Sequence, residues 1–459
     1  MDSSLAIEAV LDKLPVAQLD ETLSDFIAPF AAVLPDARLR QVVPLAVRGI
    51  VAGESPIVTA MAQSVARGST EEEKKKNAVW AAAKRIYRFL GNPRLSVDLL
   101  QEGLYERARA TIEEEKPKRV VVALDPVNFE KPYTRKLEGV STIYKSTPPD
   151  RHGKARLARG YPAITATVVN TRVPATTYAN WFSYTTDFIS ENREIRRAID
   201  STRRVFPRKR LRFVGDSGLD DKKIFEWIAS ATEAEAEFVI RASHLNRRVE
   251  VYNRHLDRWE SESLEELVRT VPFAATWQVA FTHAGKTRLA EVKVGWLRLR
   301  LPEETDQHQH QQLWAVVAEE YDVADKAVRT LVLLTSVPVV EVAQAQELYE
   351  DWRLRGRIEH GYRFCQEAGL DVEDMQVRSV GRMRRLFILV LLAAQFVMHL
   401  TQRWPATGVR WLRLLGGKLG LQIDRDGPYI LLRGLSAVWQ TVATLTHLAI
   451  YPFPHEEFR

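Results

Sequence analysis

Two hydrophobic periodicities divide this chain. Residues 119–125, Arg-Val-Val-Val-Ala-Leu-Asp, form an almost unbroken apolar run, the pattern of a strand buried on both faces. Pro126 follows Asp125 and predicts the end of that ladder, since proline has no N–H to donate. The basic stretch from Tyr133 to Arg159 reads as a loop. Ala163 to Val169 and Val173 to Phe182 flank Asn170-Thr171 and read as a hairpin. Leu211, Phe213 and Gly215 alternate with Arg212 and Val214, and this strand ends at Asp216. Asp220 and Asp221 then stand where a helix containing Ile224, Phe225, Trp227 and Ile228 needs a cap. Residues 237–336 are mostly short β-like runs, with a turn at Ala284-Gly285 and a loop from Glu303 to Gln312. His308 and His310 in that loop lack an evident third metal ligand. From Val340 to Ala368 the period is helical again, and residues 401–459 alternate short apolar stretches with Trp404, Trp411 and Trp439.

Residues 1–105 read as helical. Ser69-Thr70 before Glu71, Glu72 and Glu73 has the composition of a helix start, and Gly91-Asn92-Pro93 that of a stop. The helix between them sets Trp80, Ala83, Tyr87 and Leu90 at core spacing. Lys84, Arg85 and Arg88 fall on its polar side, as a solvated face or as a reader of phosphate.

Charge sharpens this only slightly. The net charge is +6, although the first 64 residues hold eight acids and four bases, so the remainder is distinctly basic. A basic body suggests a polyanionic partner, nucleic acid first. The one cysteine, Cys365, excludes a disulfide framework within the chain and suits a reducing cytoplasm. The N-terminus lacks the basic and apolar regions of a signal peptide. Leu386 to Leu400 is too short for a bilayer span and carries Gln395 and His399, so it reads as a buried core helix, with no membrane partner. There is no GxSxG, P-loop or HExxH motif.

The candidate chemistry lies in three acids. On a helix at ~100° per residue, Trp352, Arg355, Glu359 and Gln366 share one stripe, and Leu354, Ile358, Tyr362 and Cys365 form the apolar stripe beside it. An Arg355–Glu359 pair alone would be a surface salt bridge worth under ~1 kcal/mol. Asp125 and Asp216, however, each end a core-type strand against which that helix could pack. Carboxylates gathered there repel one another unless cations neutralise them. Hard divalent ions such as Mg²⁺ do so, and a pair of them can activate a water and stabilise a leaving 3′ oxygen.

This constellation resembles the DDE transposases of bacterial insertion sequences, most nearly the cut-and-paste insertion sequence 4 family. That family's signature is Tyr, two residues, Arg, three residues, Glu, six residues, Lys; the same spacing in this chain reads Trp352, Arg355, Glu359, Gln366. Val-Ala-Leu-Asp125, Phe-Val-Gly-Asp216-Ser-Gly and the stretch from Gly369-Leu370 to Ser379 are also similar, over about residues 110–400. The resemblance implies an α/β fold: a ribonuclease H-like core at 109–236 and 337–400, interrupted by a β-rich insertion at 237–336. It would be flanked by a helical DNA-end-binding domain at 1–108 and a mainly helical tail at 401–459 that could dimerise. It implies that Asp125, Asp216 and Glu359 hold two Mg²⁺ ions, which Mn²⁺ could replace. DNA contacts would fall to Trp352, Arg355, Arg363 and Gln366, with Lys84, Arg85 and Arg88 on the element end. The partners implied are double-stranded DNA, as element ends and target, and a second copy of the chain in a paired-end complex in the cytoplasm. An insertion-domain tryptophan, Trp277, Trp296 or Trp314, is a candidate to stack on a flipped base, with core packing the alternative. Trp352 and Gln366 depart from the signature. They keep open a relative that holds DNA without cutting it; a stand-alone nuclease has less need of the two helical ends.

Overall fold

The computed structural model describes residues 13–65, 78–131, 136–145, 154–186, 188–230, 235–253, 255–283, 286–302, 312–323, 326–366, 369–417 and 427–450. Ser69 to Glu73, Ala284-Gly285, His308 and His310 lie outside them.

Helices come first: α1 (Val16–Ala32), α2 (Ala37–Gly53), α3 (Val58–Val65), α4 (Ala78–Leu90) and α5 (Val97–Glu115). Their apolar positions recur at helical spacing, as in α1, which buries Leu19, Leu23, Phe26, Ile27 and Phe30. Side-chain caps set two starts: Asp36 accepts from Arg38 and Leu39 N–H, and Ser96 from Leu99 N–H. On α4, Ala83 and Leu90 are buried as expected, but Trp80 is 60% exposed and lies on the same side as Lys84 and Arg88.

The middle of the chain is one twelve-stranded mixed sheet. Its elements are β1 (Val120–Glu130), β2 (Ser141–Tyr144), β3 (Leu157–Val168), β4 (Ala175–Trp181), α6 (Glu191–Val205), β5 (Leu211–Gly215), α7 (Lys222–Ala229) and β6 (Ala236–Arg241). Then follow β7 (Arg248–Asn253), β8 (Arg258–Ser263), α8 (Leu264–Thr270), β9 (Ala275–His283), β10 (Lys286–Arg300), β11 (Gln312–Asp322) and β12 (Ala327–Thr335). The strand order is β2-β3-β1-β5-β6-β12-β11-β10-β7-β8, with β4 on β3 and β9 on β10. β1, β5 and β6 run parallel; β3 and β4 are antiparallel neighbours, the hairpin expected from the sequence. Part of the basic stretch expected to be a loop is instead β2 and the start of β3, paired from Ser141↔Gly160 to Tyr144↔Leu157. The β-rich segment is continuous with the core sheet: β6 pairs parallel with β5, and β12 lies antiparallel to β6.

Helices cover both faces. Val120, Val122 and Leu124 of β1 point to the layer holding α6 and α7. Val121 and Ala123 point to the other layer, which holds α9 (Val342–Arg353), α10 (Gly356–Gln366) and α11 (Val380–Arg403). α11 is long and apolar enough to cross a membrane, yet 78% of its most apolar window is buried inside the protein, which makes it the core helix expected. α12 (Ala406–Gly416) and α13 (Pro428–Ile450) close the molecule against its beginning. Trp439 Nε1 donates to Asp20 Oδ1 at 3.1 Å, Trp404 Nε1 to Thr22 Oγ1 at 3.0 Å, and Ser436 Oγ to the Ala52 carbonyl at 2.7 Å. Leu431, Leu432, Leu435, Val438 and Trp439 are therefore buried within the chain rather than offered for self-association.

Candidate active site

Register builds the site. Leu124 of β1 lies opposite Gly215 of the parallel strand β5, so Asp125 and Asp216 are the next residues on neighbouring strands, about 4.8 Å apart in the sheet. Alternation sends both side chains toward the layer of α9 and α10, the face already used by Val121, Ala123 and Val214. There β5 ends and β1 continues. Pro126 does not terminate β1, because β1 keeps pairing with β3 through Pro126↔Ile164 to Glu130↔Gly160. Val120 N–H, of the same parity, donates toward β5, so the missing N–H of Pro126 falls on the side that β5 has left.

Onto that open edge drops α10. Gln366 Nε2 donates to the Asn128 carbonyl at 3.3 Å, and Glu130 N–H donates to Glu373 Oε1 at 2.8 Å. The Tyr362 hydroxyl pairs with Thr165 Oγ1 and reaches the Asp125 carbonyl at 3.2 Å. Ile358, Tyr362 and Cys365 are buried as the apolar stripe requires, which turns Glu359 and Arg363 outward, both exposed.

The helical stretch expected over 340–368 is two helices, and the break falls within the stripe from Trp352 to Gln366. α9 stops at Arg353 and α10 starts at Gly356. Arg355, Arg357 and Ile358 N–H each bond three residues back, which tightens the winding through the break. Arg355 sits at this break with its side chain 12% exposed. Its guanidinium lies 2.5 Å from Glu359 Oε1 and 3.9 Å from Asp216 Oδ2, and its Nε has no hydrogen-bond partner. Arg241 of β6 approaches Asp216 Oδ1 at 3.5 Å. Burial pushes the Asp125 carboxyl up to about 7; Arg355 opposes this, and Glu359 and Asp216 add to it. All four groups thus act on one another. Among the described residues no three His, Cys, Asp or Glu side chains stand at metal-binding spacing; the guanidinium of Arg355 lies among the acids instead.

The remaining candidates divide. Trp352, expected on DNA, is 5% exposed and donates through Nε1 to the Gly215 carbonyl at 2.9 Å. It pins the end of β5 one residue before Asp216 and has no face left for DNA. Gln366 is half-buried on Asn128. Arg363 is exposed and has no carboxylate partner among the described residues, and the same holds for Lys84, Arg85 and Arg88 on α4. Exposed Trp80 shares their stripe at i, i+4 and i+8 with Lys84 and Arg88. Trp277, Trp296 and Trp314 are partly buried against the core, and Trp277 packs edge-on to Tyr349.

Sequence reasoning missed a buried network behind the site. Arg212, 1% exposed in the middle of β5, donates to Glu237 at 2.8 and 3.0 Å, Glu347 at 2.8 Å and Asp351 at 2.6 Å. Arg119 joins Asp351 at 3.2 Å. β5, β6 and α9 are locked together one turn before Arg355. The signal was present: Arg212 is the one charge in an otherwise apolar strand, and a charge buried there needs partners.

Two acids on neighbouring parallel strands, Asp125 within β1 and Asp216 just past β5, with a third from a helix laid across the open edge, define a class of α/β protein with a carboxylate-lined edge. The transposase DDE domain model matches residues 116–396, well over half of the chain, and the chain belongs to that family; it is a transposase, and its domain is that of a DNA-cleaving enzyme. No curated protein matches the sequence. Among solved structures, the piggyBac transposase synaptic complex with hairpin DNA is similar at 9% identity and a TM-score of 0.42, over 89% of this chain and 74% of that one.

Proposed function

We propose that this transposase is of the insertion sequence 4, cut-and-paste type, cleaving the ends of its element and joining them to a target duplex. The observation that carries the reading is the register that sets Asp125 beside Asp216, with Glu359 tied to Asp216 through Arg355. The order β4-β3-β1-β5-β6, antiparallel on one side of β1 and parallel on the other, supports a ribonuclease H-like core.

Asp125, Asp216 and Glu359 would hold two Mg²⁺ ions, with Mn²⁺ as substitute. Their donor chemistry fits: all are hard carboxylates, and Asp216 Oδ1 is buried without a hydrogen-bond partner. Bound there, the ions supply activation of the attacking oxygen and charge stabilisation on the leaving one. The protein's own groups do the positioning. Trp352 fixes the end of β5, and Tyr362 with Thr165 fixes the backbone of Asp125. Arg355, on leaving its two acids, and Arg363 offer forked donors to phosphates beside the scissile bond. Lys84, Arg85 and Arg88, with Trp80, offer α4 to the element end. Two ends handled together call for two copies of the chain, and a buried Cys365 suits the cytoplasm.

With Mg²⁺, the wild-type chain should cut a duplex carrying the inverted repeats that flank its gene. Asp125→Ala, Asp216→Ala and Glu359→Ala should each bind that duplex and leave it whole; cleavage by the triple variant overturns the assignment. One observation favours a second reading, a DNA-holding relative that no longer cuts: Gln366, at the signature's lysine position, is turned onto the Asn128 carbonyl of β1. On that reading the wild type binds the same duplex and never cuts it.

A further inference from the structure

A groove of about 640 Å³ runs between α6 and α7, lined by Ser190, Asn192, Arg193, Arg196, Arg197, Asp200, Lys223 and Trp227. Four of these are cations and one is an acid. Arg196 lies over the ring of Trp227, 5.3 Å from its centroid, and pairs loosely with Asp200 at 3.6 Å. Arg197 is engaged by the buried Glu194 at 2.6 Å. Arg193 and Lys223 are exposed and have no carboxylate partner among the described residues. Cations exceed acids along the groove, and a polyanion offers Arg193 and Lys223 the counter-charge that Asp200 and Glu194 give their neighbours.

The groove's place gives it meaning. α7 begins six residues after Asp216, and Asn192 Nδ2 holds Asp221 Oδ2 at 3.0 Å, so the starts of α6 and α7 meet at the edge where the acids lie. They do so on the opposite face of the sheet from α10. The helix starts themselves are satisfied, by Ser190 on Arg193 N–H and by Asp221 on Lys223 N–H; the free charge is on the side chains.

We propose that this groove holds the phosphate backbone of duplex DNA as it passes across the catalytic edge, without reading its sequence. It rests on the transposase reading in one respect, that the polyanion is DNA. The surface is open and its cations are exposed, which suits a continuous backbone better than a free nucleotide, whose sites are enclosed and lined with fixed polar groups. Trp227 serves as a platform for Arg196, so bases are not its ligand.

The test is the salt dependence of binding by the full chain to a random-sequence duplex, read by fluorescence anisotropy without divalent ions. Arg193→Gln with Lys223→Gln removes two phosphate contacts. The slope of log K against log salt should fall by about 1.8, and affinity at 0.1 M salt by about sixtyfold. Arg193→Lys with Lys223→Arg keeps the charges and should keep the slope, which separates charge from folding. An unchanged slope in the glutamine variant overturns the proposal. So does polyglutamate binding the wild type as tightly as the duplex, which would assign the surface to an acidic protein. Failure of the wild type to cut DNA with Mg²⁺ bears on the catalytic reading alone; the slope still decides the groove.

Discussion

Replacing Asp125 by Asn should stabilise the metal-free protein while ending chemistry at the site. Burial, aided by Glu359 and Asp216 against Arg355, pushes the carboxyl up to about 7 in the folded chain; an unfolded aspartate titrates near ~3.9. That difference corresponds to about 4 kcal/mol against the ionised form. The folded state keeps its proton to higher pH than the unfolded state. Wild-type stability therefore falls as pH rises from about 4 to about 7 and is level above that. Asparagine has no such proton, so the variant's advantage should grow from near zero at about pH 4 to about 4 kcal/mol at pH 8. Urea denaturation in EDTA, stepped across this range, measures it. Adding Mg²⁺ at pH 8 should then raise the wild-type midpoint and leave the variant's unchanged. A variant less stable than wild type at pH 8, or an advantage independent of pH, would refute the idea that burial holds the Asp125 carboxyl back from ionising.

Arg212→Met strands Glu237, Glu347 and Asp351 around a lost cation and should destabilise the fold by about 3–5 kcal/mol in the same assay; a loss under about 1 kcal/mol would mean the network is dispensable. Trp352→Phe keeps the ring but loses the bond to the Gly215 carbonyl, costing about 1 kcal/mol; cleavage should slow while duplex affinity holds, and an unchanged cleavage rate would count against a positioning role. Gln366→Lys should steepen the salt dependence of DNA binding by about 0.9, and an unchanged slope would show that position to face away from phosphate. Deleting residues 1–115 should yield an aggregating fragment by gel filtration, because α1, α2 and α4 share one apolar core with α11 and α13; a monodisperse fragment would show the helical start to be a separate domain.

The two aspartates were legible because a strand buried on both faces tolerates a carboxylate only where it emerges, and each strand does emerge there. The helix acid was legible from its apolar stripe, which Ile358, Tyr362 and Cys365 fill as the spacing predicts. The break at Leu354–Arg355 was not, since the apolar period runs through it undisturbed. What Arg355 meets there is a charge at the end of another strand, Asp216, brought close only by folding. Trp352 misleads for a similar reason: on a polar stripe an aromatic looks like a surface contact until the carbonyl of Gly215 is found opposite it. Strand order is equally silent locally. Nothing in Phe238 to Ala242 or Val328 to Leu334 says that these runs will pair and join the β-rich segment to the catalytic strands, because pairing partners are not written in a strand's own alternation. The three tryptophans of the last sixty residues likewise announce an apolar surface without naming the N-terminal helices that Trp404 and Trp439 bond to.

The bond from Trp439 to Asp20 spans 419 residues, and it sets a sequence of events in time. A chain made from its N-terminus exposes α1 and α2 long before α13 exists to cover them. Phe26 packs tilted against Phe396, and Ala52 offers its carbonyl to Ser436 and Gln440, only once those distant residues have been synthesised. Closing so long a loop is slow, and the waiting helices present apolar surface meanwhile. Asp125, Asp216 and Glu359, encoded further along, are thus present before their full supporting layer is complete. A chain that lacks α13 leaves the apolar faces of α1 and α2 uncovered, so the helix layer is sticky until residues more than four hundred positions apart have met.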